Sequence, residues 1–333
     1  MNDVPAPARR PSGVAARLQD AVALGPTVSF ELYPPRTPAA NETLWSTIAR
    51  LAEATPDFFS VTYGASGSSR ETSRAVVQWI LAHTSAPAVA HLTCIGAPRP
   101  EVQGIAAGLL ADGVRDFLAL RGDPPAGATD WQPHPDGLER ASELVSLLRE
   151  IEPASEGAAL SIGVAATPAA VPPGTLPGDE LCGDLQALLA KQAGGADYAI
   201  TQVFFDPEDY TRYTGVARAA GVTIPLLPGI VPLNDPARLR RLQEISGVPV
   251  PASILARLDA ETDELRRRAA GTAMGVELAE AVLQAGAPGL HVYTFNQHRA
   301  ALELLAGAHL DARSRAPRTD ADLAGSSVSA ALT

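Results

Sequence analysis

Glu31 stands in the middle of TVSFELYPP, residues 27–35, a run that otherwise has the composition of a buried strand ended by two prolines. A carboxylate there is costly to desolvate unless it is paired or keeps its proton. Its plain structural account is the solvent face of an edge strand. The alternative is a site, in which a partly desolvated acid holds a proton near neutral pH and delivers it to a leaving group. Other residues able to do chemistry end similar runs. They are Thr62 and Tyr63 in FFSVTYG, His91 and Thr93 in AVAHLTCI, Arg121, Gly122 and Asp123 in FLALRGD, Gln202 in YAITQVFF, and Tyr293, Thr294 and Asn296 in GLHVYTFN. Singly, each has an ordinary reading: His91 as a satisfied core histidine, Gln202 bonding backbone, Arg121 and Asp123 as a strand-end ion pair.

The elements that carry these residues alternate. Short β-rich runs at 27–33, 58–64, 88–95, 117–123, 160–167, 198–205, 224–231 and 289–296 are each followed by a stretch with helical periodicity. Eight such strands are the number a closed parallel barrel needs, and the GxGxxG turn of an open dinucleotide-binding sheet is absent. The fold class is therefore α/β, a single-domain (β/α)8 TIM barrel. In such barrels the active site lies at the carboxyl ends of the strands, so polar residues late in at least six strands meet at one mouth. One site explains them together. No HExxH-like spacing points to a metal, and GxSxG is missing, so a serine nucleophile is unsupported as well.

Of the 333 residues 46% are hydrophobic and the net charge is −11, with no basic run, which argues against nucleic acid and for small-molecule partners. No apolar stretch is long enough for a membrane span, and MNDVPAPARRPSG lacks the apolar region of a signal peptide, so a cytoplasmic location is expected. Cys94 and Cys182 have neither disulfide-framework nor zinc spacing and are expected to be buried and inert. Residues 1–16 and 311–333 read as disordered extensions flanking a catalytic barrel over 17–310. The oligomeric state is left open, a homo-oligomer included.

The segments VSFELYPPRT, FFSVTYGAS, AHLTCIGA, FLALRGDPP, ADYAITQVFFD, LLPGIVP and GLHVYTFN, spread in order over nearly the whole barrel, resemble bacterial-type methylenetetrahydrofolate reductases. The resemblance implies hydride transfer from NADH or NADPH, through bound FAD, to 5,10-methylenetetrahydrofolate, giving 5-methyltetrahydrofolate for methionine synthesis. It implies that Glu31 is the general acid that helps open the bridged ring, and that Asp123 lies near both flavin and pterin. Gln202 matches a folate-contacting glutamine and Tyr293 a site-lining tyrosine. Thr62, His91, Leu120, Arg121, Gly122, Asp123, Ala165, Thr167, Asp184 and Lys191 match flavin-contacting positions. A pterin edge presents amide and amino groups that a carboxylate and a primary amide, Asp123 and Gln202, can bind in pairs.

One stretch departs from the pattern. After strand five the family usually reads close to AAxPExHPE, whereas residues 165–173 read AATPAAVPP, with Thr167 in place of an aromatic and Val171 in place of the histidine. Three readings stay open. They are a flavin-dependent reductase, a flavin-free relative passing hydride directly from NADH to the folate, and a barrel that binds folate without turnover.

Overall fold

The computed structural model describes residues 13–35, 37, 39–63, 67–123, 132, 134–152 and 159–312. Nine strands form one parallel sheet: β1 Thr27–Leu32, β2 Phe58–Val61, β3 Ala88–Thr93, β4 Asp116–Leu120, β5 Ser161–Ala166, β6 Tyr198–Thr201, β7 Leu226–Leu227, β8 Gly229–Ile230 and β9 Gly289–Tyr293. Their spatial order, β7-β6-β5-β4-β3-β2-β1-β9-β8, puts the two halves of one chain segment at the two ends of the sheet. Only Pro228 separates β7 from β8, so the sheet closes on itself as an eight-staved barrel whose seventh stave is split. Proline has no N–H to give to a ladder, which is why the expected strand over 224–231 breaks there. Its carbonyl is still used, accepting the His291 N–H at 2.9 Å.

The outward faces of the strands pack under the surrounding helices in one continuous apolar layer that includes Phe30, Phe59, Phe117, Leu144, Ile162 and Leu290. Helices α3 Ala39–Ala52, α4 Gly67–His83, α5 Arg99–Ala111, α6 Ala141–Ile151, α7 Gly183–Ala193, α8 Pro207–Ala219 and α12 His298–Gly307 follow the expected alternation. Three more, α9 Pro236–Ser246, α10 Ala252–Asp259 and α11 Glu264–Gln284, fill the long segment between β8 and β9. A separate apolar cluster of Val231, Leu233, Leu239, Val248, Leu258 and Met274 holds this insertion together, with Tyr293 and Phe295 packed against it.

The amino end of the barrel is closed by the chain's own start. Helix α1, Gly13–Gln19, is followed by a single turn, α2, Ala21–Leu24. Val14, Ala15 and Leu18 seal the interior against Phe58, Val89, Leu118, Tyr198, Ile200 and Leu227. The Val14 N–H bonds Asp116 Oδ1 at 2.9 Å and the Ala15 N–H bonds Ser161 Oγ at 3.0 Å. Residues 13–16 therefore belong to the barrel and not to the extension that composition suggested. A seven-residue helix is too short to be stable alone and is specified by acceptors on β4 and β5, a signal not present in its own residues. Residues 1–12 and 313–333 lie outside the described residues.

Cys94 is buried, its thiol directed at the carbonyls of Arg121 and Arg140, and burial pushes its pKa up to about 11. Cys182 is only half-buried, contrary to expectation, because it sits at the start of α7 beside the solvent-facing β5–α7 connection. Among the described residues, no helix is long and apolar enough to cross a membrane.

Candidate active site

Strand periodicity decides which side chains enter the barrel. Ser29 and Glu31 share the inward face of β1, Phe58 and Ser60 that of β2, Val89 and His91 that of β3, and His291 and Tyr293 that of β9. The register sets Ser29 beside His291 and Glu31 between Ser60 and Tyr293. Above the apolar floor sealed by α1 lies a polar layer, unusual in a barrel interior that is ordinarily filled by branched apolar residues.

Glu31 is 6% exposed and faces two imidazoles, with His291 Nε2 at 3.5 Å and His91 Nε2 at 3.7 Å from Oε2. Ser60 Oγ lies 2.5 Å from His91 Nε2, and Ser29 Oγ 2.8 Å from His291 Nδ1. The Ser29 hydroxyl can also donate to the Leu290 carbonyl at 3.3 Å. This geometry supports two proton arrangements. If Ser29 donates to Leu290, its oxygen accepts from His291 Nδ1–H, and the bare Nε2 then takes a hydrogen bond from a protonated Glu31. If Ser29 donates to Nδ1, the proton sits on Nε2 and faces the carboxylate. By rotating its hydroxyl, Ser29 thus lets His291 meet Glu31 with a hydrogen bond whether or not the carboxyl carries its proton. No Lys or Arg among the described residues pairs with Glu31.

Burial dominates the state of His91, pushing its pKa down to about 4 although Glu31 pulls the other way, so it is a neutral group at pH 7. At the barrel floor burial pushes Asp116 up to about 6, against the hydrogen bonds from Val14 and Ser161. The two act oppositely on stability. For Asp116 the unfolded chain titrates at 3.8 and the folded chain near 6, so stability is full below 3.8 and is lost as pH rises through about 6. For His91 stability is full above 6.5 and is lost as pH falls toward 4. Asp116→Asn keeps an acceptor for the Val14 N–H and removes only the first contribution. The stability of this variant relative to the native chain is expected to grow by about 2 kcal/mol between pH 4 and pH 7 in urea unfolding.

Around the mouth, the Tyr293 hydroxyl donates to the Thr201 carbonyl at 2.8 Å, which brings β9 and β6 together across the split stave. Gln202 follows directly; its Oε1 accepts the Val203 N–H at 3.0 Å, and its amide N–H2 makes no bond within the described chain. Thr62, the residue after β2, is half-buried, its carbonyl taken by Ser73. At the end of β4, Leu120 is half-buried, whereas Arg121 and Asp123 are exposed, and among the described residues Arg121 Nε reaches the Gly122 carbonyl at 3.2 Å. Gly122 has φ +88° and leaves no room for a Cβ against Ile95 and Thr93, so the turn that presents Arg121 and Asp123 requires glycine.

The expected flavin contacts at the end of β5 and on α7 form a second group, across the barrel from β1. Lys191 Nζ donates to the Ala165 carbonyl at 2.7 Å, and burial lowers its pKa. Asp184 Oδ1 accepts both the Thr167 N–H at 3.2 Å and the Tyr213 hydroxyl at 2.7 Å. Val171, where the family pattern has histidine, is buried under α8, its carbonyl held by Arg212 Nε at 3.1 Å.

Glu31, His91 and Tyr293 are thus brought together, and Asp123 and Gln202 share their mouth. His291, Ser29 and Ser60 complete the polar layer without having been singled out in the sequence. The signal was available: counting back two residues from Tyr293, Glu31 and Thr62 lands on them.

A closed parallel barrel with a buried acid at its carboxyl mouth, held from below by a serine-oriented histidine, defines an enzyme of the TIM-barrel class. The family model for methylenetetrahydrofolate reductase matches residues 17–309, and the chain belongs to that family. It is 34% identical to 5,10-methylenetetrahydrofolate reductase of Escherichia coli (strain K12) over 271 residues, 81% of this chain and 86% of that protein. It is 31% identical over 314 residues to a probable methylenetetrahydrofolate reductase (NADH) of Oryza sativa subsp. japonica, covering 92% of this chain and 52% of that one. Among solved structures, a Clostridium thermocellum protein that binds two copies of 5-methyl-5,6,7,8-tetrahydrofolic acid shares the fold. Its TM-score is 0.59 at 14% identity, over 89% of this chain and 98% of that chain.

Proposed function

We propose that the chain reduces 5,10-methylenetetrahydrofolate to 5-methyltetrahydrofolate with hydride from NADH or NADPH, in the cytoplasm, as a supplier of methyl groups for methionine synthesis. The observation that carries the reading is Glu31, buried at the carboxyl mouth and backed by His291 and Ser29. The imidazolidine ring bridging N5 and N10 must open before reduction. Glu31 gives its proton to N10, the bond from N10 to the bridging carbon breaks, and the resulting N5 iminium accepts hydride at that carbon. A proton from solvent at the mouth restores Glu31 for the next turnover, while Ser29 and His291 hold the carboxyl in place. Asp123 and the amide N–H2 of Gln202, which has no partner among the described residues, hold the pterin edge, and Tyr293, anchored on Thr201, forms the wall beside Glu31.

Bound FAD would take hydride from the nicotinamide and pass it to the folate carbon. Its fit is divided. Thr62, His91, Leu120, Arg121, Gly122 and Asp123, at the ends of β2 to β4, offer a half-buried threonine, a guanidinium with no carboxylate partner among the described residues and an exposed carboxylate suited to it. On α7, beside the end of β5, Lys191 keeps two further N–H donors and Asp184 its second oxygen, but both are already tied to the protein through Ala165, Thr167 and Tyr213. That engagement, with the missing ring and histidine at Thr167 and Val171, favours a second reading in which the nicotinamide occupies the mouth and reduces the folate directly.

The test is the visible spectrum of the purified protein with added FAD, then with NADH, then with 5,10-methylenetetrahydrofolate. Bleaching of a bound flavin by NADH and its return on adding folate is the outcome for the flavin route. Folate-dependent NADH oxidation by colourless protein is the outcome for the direct route. Absence of folate-dependent oxidation of both NADH and NADPH, with and without FAD, would overturn the function.

A further inference from the structure

Phe295 and Asn296, immediately after β9, both have left-handed backbone, with φ +51° and +56°. Asparagine tolerates that region, but a bulky phenylalanine does so only where its surroundings over-determine it, and such residues cluster at functional sites. Here the Asn296 side chain clamps Tyr33 from both sides, Oδ1 accepting the Tyr33 N–H and Nδ2 donating to the Tyr33 carbonyl, each at 2.9 Å. The Thr294 hydroxyl donates to the Glu31 carbonyl at 2.7 Å and accepts the Asn296 N–H at 3.1 Å.

The strained bend builds a stack. The Phe295 ring lies on Tyr33 with centroids 6.4 Å apart and planes 16° from parallel, and the Arg238 guanidinium carbon sits 5.3 Å from the Phe295 centroid. Arg238 comes from the first turn of α9 and its side chain is 29% exposed. Its carboxylate neighbour is Asp235 at 3.6 Å, whose other oxygen accepts the Arg238 backbone N–H at 3.1 Å. Other arginines are neutralised at closer range, such as Arg17 by Asp57 at 2.7 Å and Arg149 by Asp197 at 2.6 Å. A chain of net charge −11 thus mounts a loosely paired guanidinium on an aromatic ring beside the strand end that carries Glu31. A ring-mounted guanidinium keeps its planar N–H fork available for a carboxylate or phosphate.

We infer that Arg238, positioned by Phe295, is an anion anchor at the mouth. It takes an anionic oxygen group of a substrate, either a carboxylate of the folate glutamyl tail or a phosphate of the nicotinamide dinucleotide. The inference rests on the function proposed above. It is tested with Arg238→Met, Arg238→Gln and Arg238→Lys. The neutral variants are expected to raise the KM of one substrate about tenfold with kcat within about twofold, and lysine to restore part of the loss. A change in the KM for methylenetetrahydrofolate identifies the glutamyl carboxylate; a change in the KM for NADH identifies the phosphate. Phe295→Leu should move the same KM in the same direction. Unchanged KM values for both substrates, or a fall in kcat alone, would overturn the anchor. Titration with 5-methyltetrahydrofolate and with NADH gives the same comparison as dissociation constants. If the native chain lacks reductase activity, the proposed reaction fails while these titrations still decide on the anchor.

Discussion

Glu31→Gln is expected to lower folate reduction by about 10²- to 10⁴-fold, the range for removing a positioned general acid, while the chain stays folded. The replacement is nearly isosteric, and its amide can still meet His291 Nε2 or His91 Nε2 across the distances seen for the carboxyl, 3.5 and 3.7 Å. What it cannot do is release a proton to N10, so the iminium is not formed. Transfer of hydride from NADH to an artificial acceptor does not need that proton and should persist, as should NADH binding if no flavin is present. Measuring folate-dependent turnover beside acceptor-dependent NADH oxidation separates the two. Equal loss of both would mean that Glu31 organises the polar layer and is not the acid. A thermal midpoint within a few degrees of the native value completes the comparison.

Much of this site was legible in the sequence because a barrel converts strand ends into neighbours. A carboxylate inside TVSFELYPP and polar residues ending five other strands could be placed at one mouth before any coordinate was known. Features that depend on which partner lies across the barrel were not. Ser29, Ser60 and His291 lie one step deeper than the strand ends, and their importance follows from the register that sets Ser29 beside His291 and Glu31 beside Ser60. The α1 plug has acceptors, Asp116 and Ser161, that lie more than 100 residues away along the chain, at |i−j| of 102 and 146, so its seven residues could not announce it. The sequence exposed the altered stretch after β5 but not its consequence, that Tyr213 and Thr167 satisfy one oxygen of Asp184.

The second large effect is expected at Gly229, where closure of the barrel and geometry of the site coincide. Gly229 opens β8, just after the proline that splits the seventh stave, and its N–H donates to Thr201 Oγ1 at 2.9 Å. A Cβ there would press on the Thr201 carbonyl oxygen and come within 2.6 Å of the Tyr293 ring. That carbonyl accepts the Tyr293 hydroxyl, so one methyl group would separate β6 from β9 and break the bond that fixes the tyrosine beside Glu31. Neither obstacle can yield cheaply, because one is backbone and the other a half-buried ring packed against His291 and the insertion's apolar cluster. Gly229→Ala is therefore expected to cost about 3 kcal/mol or more in urea unfolding, at the upper end of overpacking effects. The surviving folded fraction should show reduced folate turnover, because Tyr293 must leave Thr201. Relief follows from shortening the ring: Tyr293→Leu in the Gly229→Ala background should recover part of the stability without recovering turnover. If Gly229→Ala alone proves as stable as the native chain, the close approach of β6, β8 and β9 is wrong, and with it the placement of Tyr293 as a wall of the site.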